Sequence, residues 1–490
     1  MKSTDLISLL PEFILLLGAA AVFALDILVK RWRSKAWLPA VALGVLLLAL
    51  LAMIPSLGKT QVVATMLVVD PFALFFKVLA VVAVALVILL AMPYLRGRTP
   101  YSGEFYALLL IVTLAICLAV SSVNLIMIYL SMEFLSITSY VLAGYLRQDR
   151  KSGEAAVKYF LYGATASAVM LYGMSLLFGA TGSTDLVGIR NALAVKPVNE
   201  LIWLTAPAII LLLAGFGFKA SLVPFHQWAP DTYEGAPTPI TAFLSTASKA
   251  TGFAIMIRVF IVALGLAQMQ WVALLVAVSV VTMTLGNLAA LRQTNVKRLL
   301  AYSSIAQAGY ILIGLAAVLA DPSRTFTGLN GLLFYLFAYL FTNIGAFAVV
   351  IAIEVSTGKV EVKDYAGMAR RAPGLAALLT IFLLSLTGIP PTAGFMGKFF
   401  VFGAAVQSQM WFLVVIAAVN SVVAAFYYLN IVRYMYFVPA EDEGERVKVG
   451  APLQVVLGVT ALLTLLLGVM PGPLYAWASE STKALLLALR

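Results

Sequence analysis

The sequence predicts an all-α polytopic membrane protein of about fourteen transmembrane helices. Helices 4–8 and 9–13 form two inverted five-helix repeats, and helices 7 and 12 are broken. Three observations predict this. Hydrophobic residues make up 63% of the 490 residues and charged residues only 11%, with a mean hydropathy of +1.03. A soluble domain carries about 45–50% apolar and about 25% charged residues, so a soluble enzyme is excluded and lipid is the solvent for this surface. Apolar windows long enough to cross a bilayer recur throughout the chain. Finally, the seventh and twelfth windows, five helices apart, are both interrupted at proline.

The first window, from about Phe13 to Leu28, resembles a secretory signal, but its positive charges follow it (Lys30, Arg31, Arg33, Lys35). A signal carries them before the apolar run, so this is a retained helix with its N-terminus outside. Helices are expected near 8–29, 37–57, 71–94, 105–120, 123–145, 154–180, 201–220, 237–264, 270–291, 298–319, 328–353, 374–406 (interrupted), 409–432 and 451–470. The last twenty residues predict a short interfacial helix. The chain divides into an N-terminal three-helix segment (1–100), two five-helix repeats (101–265 and 266–435) and a C-terminal helix with its tail (436–490). The breaks are Pro224 and Pro230 after the seventh helix and GIPPTAG (388–394) in the twelfth. Five is odd, so the second repeat lies inverted relative to the first. Interrupted backbone at membrane depth is tolerated where it borders protein or a wet cavity, the pattern of transporters.

Loop charge sets the orientation. The net charge is +11, and 19 of the 32 Lys and Arg fall on connections of one side against 7 on the other. Positive loops face the cytoplasm, which places both termini outside a plasma or inner membrane. The basic balance therefore reports a lipid partner and no nucleic acid. With one cysteine (Cys117) and one histidine (His226), disulfides within the chain, Cys-ligated zinc, iron–sulfur clusters and paired haems have no ligands. Phosphate-binding glycine motifs are absent too, so no metal or cofactor site is expected in this chain.

Four charges sit where apolar residues belong. Glu133 is near the middle of the fifth helix, Lys249 near the middle of the eighth, and Lys219 and Lys398 beside the breaks. Each costs about 2.5–3.5 kcal/mol at the bilayer centre, on the order of 10 kcal/mol together. Burial disfavours a charged lysine and a nearby carboxylate favours it, so a Glu/Lys set has the chemistry of a switchable proton relay. The alternative is a set of buried ion pairs that only fix helix packing. Glu154 and Lys158, spaced i, i+4 at the start of the sixth helix, form either a helix-end salt bridge or a proton entry point. His226 is either a packed loop residue or a link between Lys219 and Lys249. Ser303, Ser304, Gln307 and Asn343 are candidates to hold water between the lysines or to join helices. Lys77 and Arg258 are expected to snorkel toward the outer surface, and Glu441, Asp442, Glu443 and Glu445 to form a solvated loop.

The stretches MEFLSITSYVLAGY (132–145), GEAAVKYFLYGA (153–164), FKASLVPFHQWAPDTYEGAPTP (218–239), STASKATGF (245–253) and GIPPTAGFMGKF (388–399) carry a resemblance. Over roughly residues 105–433 the chain resembles the antiporter-like proton-pumping module of respiratory complex I and of multisubunit cation/proton antiporters. EAAVKYFLYGA, STASKA and a lysine rather than a glutamate in the twelfth helix favour the subunit N branch over subunit M. The chain leaves no room for the long lateral helix of subunit L.

The resemblance implies that Glu133 pairs with Lys219, that Lys249 is the central lysine and Lys398 the terminal one, and that Glu154, Lys158 and His226 are functional. The tenth helix has no carboxylate matching Glu133, and the thirteenth no lysine matching Lys249. The function so implied is proton translocation by a non-redox subunit of an NADH-quinone oxidoreductase. Flavin, iron–sulfur clusters and quinone would be held by partners, which are sister membrane subunits and a peripheral NADH-oxidising arm. Two alternatives remain open: a cation/proton antiporter subunit without a redox partner, and a structural membrane anchor.

Overall fold

The computed structural model describes residues 3–28, 35, 37–195, 201–318, 327–440, 447 and 449–487. The acidic stretch beginning at Glu441 lies outside them. Thirteen helices among the described residues are long and apolar enough to cross a membrane, and the broken pair Pro373–Thr387 and Ala393–Gln407 completes fourteen crossings. Counted in order, the first to sixth are Leu10–Leu28, Leu38–Ser56, Pro71–Leu95, Ser102–Ser121, Leu125–Ala143 and Arg150–Thr181. The seventh is Ile202–Ala220, followed across a break by Trp228–Gly235. Thr238–Ala263, Gly265–Ala290, Val296–Ala316 and Gly328–Thr357 are the eighth to eleventh. After the broken twelfth come Trp411–Phe437 and Ala451–Val469. The expected boundaries hold within a few residues.

The inverted repeat is visible in the connections. Asn124 and Asn295 cap the fifth and tenth crossings by accepting from the Ile126 and Arg298 amides. Each asparagine also forms an isolated antiparallel bridge to the loop after the helix that follows, Asn124 with Asp185 and Asn295 with Glu361. The sixth and eleventh crossings then end at Gly182 and Gly358, both left-handed (φ 70° and 68°), where a glycine has no Cβ to clash. At the breaks the left-handed residues are Ser221 and Gly388, 167 positions apart, and Pro224 and Pro391 are the same distance apart. The matching caps, bridges and glycine ends lie at opposite ends of the bundle, as an odd helix offset requires.

Burial divides the bundle. The eighth, tenth and eleventh crossings are buried almost entirely inside the protein, while the ninth, thirteenth and fourteenth keep an outward apolar face. The third crossing packs against the fourth, the eleventh and the fourteenth, so the N-terminal segment is fastened to both repeats. Lys77 and Arg258 correct the snorkelling expectation. Lys77 is 1% exposed and meets Glu12 of the first crossing at 2.6 Å. Arg258 is 3% exposed and makes two bonds, 2.9 and 3.0 Å, to Asp70, which itself caps the third crossing. A buried partner replaces the water that snorkelling would have sought.

Two small elements complete the picture. Gln61–Val63 and Leu67–Val69 pair as an antiparallel hairpin, Gln61 opposite Val69, which the hydropathy pattern did not indicate. The tail forms the helix Gly472–Leu487, docked on the third and eleventh crossings, with Trp477 against Phe75 (4.5 Å between ring centroids) and Phe337.

Candidate functional site

The three interior lysines line up along the buried centre. Lys219 and Lys249 are each 1% exposed and Lys398 is 5% exposed. No ion pair within 4 Å engages any of them among the described residues, unlike Lys77 and Arg258. Lys219 closes the first half of the seventh crossing; its Nζ donates to the Ser136 hydroxyl at 3.2 Å and to the Tyr159 hydroxyl at 3.4 Å. Glu133 is half-buried one turn from Ser136 and accepts from the Ser167 hydroxyl at 2.5 Å. The expected Glu133–Lys219 partners thus face each other from neighbouring helices without touching, each held by hydroxyls.

Lys249 follows a π-helical turn, Leu244–Ser248, a local widening of the helix that is frequent at functional sites. Its Nζ donates to both the carbonyl and the hydroxyl of Ser304 at 2.6 Å. One turn on, Gly252 lies against Lys219, where a Cβ would stand 3.1 Å from that of Lys219. That close approach brings the seventh and eighth crossings together with their lysines on the shared seam.

Hydroxyls occupy the ground between the lysines. Ser248 lies beside the Tyr159 hydroxyl. The hydroxyls of Tyr233 and Tyr339 approach Ser304 without a hydrogen bond of normal geometry. Ser303 and the Tyr428 hydroxyl are bonded at 2.5 Å, and Gln307 donates to the Leu386 carbonyl at 2.8 Å while accepting from Tyr335. Lys398 sits in the second half of the twelfth crossing, 4.5 Å above the Tyr310 ring. It donates to the Thr387 carbonyl at 2.7 Å, freed by the break, and to the Ser421 hydroxyl at 3.1 Å. Ser303, Ser304 and Gln307 therefore lie on the line between lysines, whereas Asn343 bonds Ser245 at 2.6 Å beside it. His226 is buried in the seventh-crossing break, and its Nδ1 has no hydrogen-bond partner among the described residues.

At the basic face a charged cluster lines a cavity of about 130 Å³. Lys158 bridges Glu154 and Asp231, both at 2.7 Å. Asp231 also pairs with Arg298, which meets Glu234 at 3.3 Å, and Lys151 meets Glu234 at 3.0 Å. The Glu154–Lys158 salt bridge exists, but it is one edge of a network. Sequence reasoning did not single out Asp231, Glu234 or Arg298. The signal available was the i, i+3 carboxylate pair in APDTYEG, directly after the break.

Comparison with known proteins identifies the family. Residues 122–424 match the family model described as NADH:quinone oxidoreductase/Mrp antiporter, TM. A Desulfitobacterium hafniense protein named NADH-quinone oxidoreductase subunit N is 42% identical over 99% of this chain and 100% of its own. The chain belongs to the subunit N family. A chain of respiratory complex I from Thermus thermophilus superposes on this subunit N family member with a TM-score of 0.78 at 33% identity, covering 95% of this chain and 98% of that one. A chain of the Mrp complex from Dietzia shares the fold (TM-score 0.84, 22% identity, all of both chains).

Proposed function

We propose that the chain is the antiporter-like, non-redox subunit of a proton-pumping NADH-quinone oxidoreductase, and that Glu133, Lys219, Lys249 and Lys398 carry its protons. The observation that supports this most is that three lysines buried at the centre of the bundle, Lys219, Lys249 and Lys398, are held only by hydroxyls and carbonyls; Lys297, buried at the cytoplasmic start of the tenth crossing, is likewise held by a carbonyl, that of Ala236, but lies off their line. A structural charge buried in a bilayer protein takes an opposite charge, as Lys77 and Arg258 do here. A lysine that must lose and regain a proton is better served by neutral acceptors, which hold the ammonium without locking it.

Protons would enter from the basic face past Glu154, Lys158 and Asp231 and load Lys219 under the influence of Glu133. Loss of that influence would destabilise charged Lys219 and push its proton toward Lys249, then past Ser303, Tyr428 and Gln307 to Lys398. The buried hydroxyls of Ser221, Tyr233 and Tyr339, without hydrogen-bond partners among the described residues, are the groups with which internal water would complete the gaps. His226 lies beside the Lys219 end of this route. Redox chemistry belongs to other subunits; sister membrane subunits and a peripheral NADH-oxidising arm are the partners, and the basic face is cytoplasmic.

The test is Lys219→Ala and Lys249→Ala in the assembled complex, with quinone reduction and proton pumping measured together in native vesicles. Retained assembly with lost pumping is expected; intact pumping in both variants would overturn the relay. Purification of the chain with other membrane subunits but without NADH oxidation would overturn the redox assignment in favour of an antiporter.

A further inference from the structure

A second cavity is lined by none of the residues proposed to carry protons. It opens on the basic face between the ends of the third crossing and the starts of the second, fourth and fourteenth, with a volume of about 490 Å³. Two features give it the character of an anion site. The fourth crossing begins at Ser102 and the fourteenth at Ala451, and neither N-terminus has a side-chain cap, although Ser102 and Gly450 both line the cavity. First-turn amides, less the one Pro452 lacks, and the two helix dipoles therefore present positive potential to it, with Glu104 in the first turn of the fourth crossing as a partial counterweight.

The side chains agree. Arg96 lines the cavity with no ion pair or hydrogen bond among the described residues. Lys35 lines it too, but its charge is matched by Asp26 at 2.6 Å. Arg96, exposed at the cavity mouth, is thus an uncompensated cation among the described lining residues. Tyr106 supplies an independent sign. It is 3% exposed, lines the cavity, and its hydroxyl has no hydrogen-bond partner among the described residues. Its ring is buried and its hydroxyl opens on the cavity, where it can donate to a bound acceptor. The remaining wall is apolar, with Pro39, Met92 and Leu95.

We propose that this cavity binds the phosphate of an anionic phospholipid, with Arg96 as its ion-pair partner, the Tyr106 hydroxyl as a donor, and the glycerol against the apolar wall. Basic pockets at the cytoplasmic ends of transmembrane helices suit such headgroups. Arginine offers a phosphate two parallel donors where a zwitterionic lipid would leave charge unmatched. Bound there, the lipid would tie the N-terminal segment to the start of the first repeat and to the fourteenth crossing.

Native mass spectrometry of the intact complex, delipidated in mild detergent, tests this with three probes: phosphatidylglycerol, phosphatidylcholine and inorganic phosphate alone. The wild-type complex should retain one more phosphatidylglycerol than the Arg96→Gln complex, whose affinity at that site should fall about tenfold, the loss of one charge-assisted bond. Arg96→Lys should keep most of the binding, and Tyr106→Phe should lose a few-fold. Equal retention by the wild type and Arg96→Gln, or equal retention of the two lipids, overturns the proposal. Saturable binding of inorganic phosphate that blocks phosphatidylglycerol and is lost in Arg96→Gln would make it a soluble-anion site and overturn the lipid assignment.

Discussion

Replacing Arg258 by methionine tests the buried network most directly. Arg258 spends two donors on Asp70, at 2.9 and 3.0 Å, and donates a third bond to the Val120 carbonyl at 3.1 Å, near the end of the fourth crossing. Methionine fills much of the volume but leaves Asp70 buried with no cation. Breaking one side of a buried pair costs about 3–5 kcal/mol, because the surviving charge has neither water nor partner. Asp70→Asn should cost a similar amount, since Asn caps a helix as well as Asp and the loss falls on stranded Arg258. The double variant Asp70→Asn/Arg258→Met keeps the cap and strands no charge, so it should recover most of the loss. The unsatisfied Val120 carbonyl and the new amide at position 70 should remain, at about 1–3 kcal/mol unless they bond each other. Unfolding of the detergent-solubilised chain by increasing SDS gives the four free energies of this cycle. A cost below about 1 kcal/mol for Arg258→Met, the range of exposed pairs, would mean that Arg258 reaches water, and the buried latch would be refuted.

Two further predictions address the relay and the breaks. Ser304→Ala removes one of the two acceptors of Lys249 and keeps the carbonyl. Pumping per electron, followed with a pH-sensitive dye in vesicles, should fall by about tenfold for one charge-assisted bond, with quinone reduction less affected; unchanged pumping would remove the hydroxyl from the route. Gly394→Ala places a Cβ 1.8 Å from the Ser385 carbonyl across the twelfth-crossing break, whereas at Gly458 nothing lies within 4 Å. The first should destabilise by about 1–3 kcal/mol or more and reduce assembled complex on native gels, and Gly458→Ala should match the wild type.

Much of this molecule was legible in one dimension. A crossing is a local property of some twenty residues, so helix number and boundaries followed from hydropathy. Lys219, Lys249 and Lys398 stood out because a charge inside an apolar window is improbable without a reason. What stayed hidden depended on distant partners. Arg258 finds Asp70 188 positions away, and near a helix end its charge reads as a snorkelling side chain until that carboxylate is placed beside it. Asp231 and Arg298 were hidden for the same reason, lying in different repeats. The internal repeat left little sequence identity, because its devices are a cap, a bridge and a left-handed turn, each satisfied by several residue types. Asn124 and Asn295 show the likeness only through what they bond.

The three lysines of the proposed relay are not equivalent, and the difference points to where control would be exerted. Lys249 and Lys398 each hold a backbone carbonyl, at 2.6 and 2.7 Å, a strong acceptor that favours the ammonium whatever happens elsewhere. At the seventh-crossing break the Trp228 indole donates to the Phe218 carbonyl at 2.9 Å, and Lys219 itself holds only two hydroxyls, at 3.2 and 3.4 Å. Its charged form therefore depends most on the nearby Glu133 carboxylate, an attraction on the order of 2 kcal/mol at an effective dielectric near 20. A switch placed at Glu133 would act on Lys219 more directly than on the other two. Glu133→Gln should accordingly lower pumping per electron by more than tenfold while sparing assembly, with Glu133→Asp restoring part of it. Ser167→Ala, which removes only the hydroxyl donor to Glu133, should cost a few-fold. If Glu133→Gln pumps normally in an assembled complex, Lys219 draws its charge from elsewhere and control does not lie at this pair.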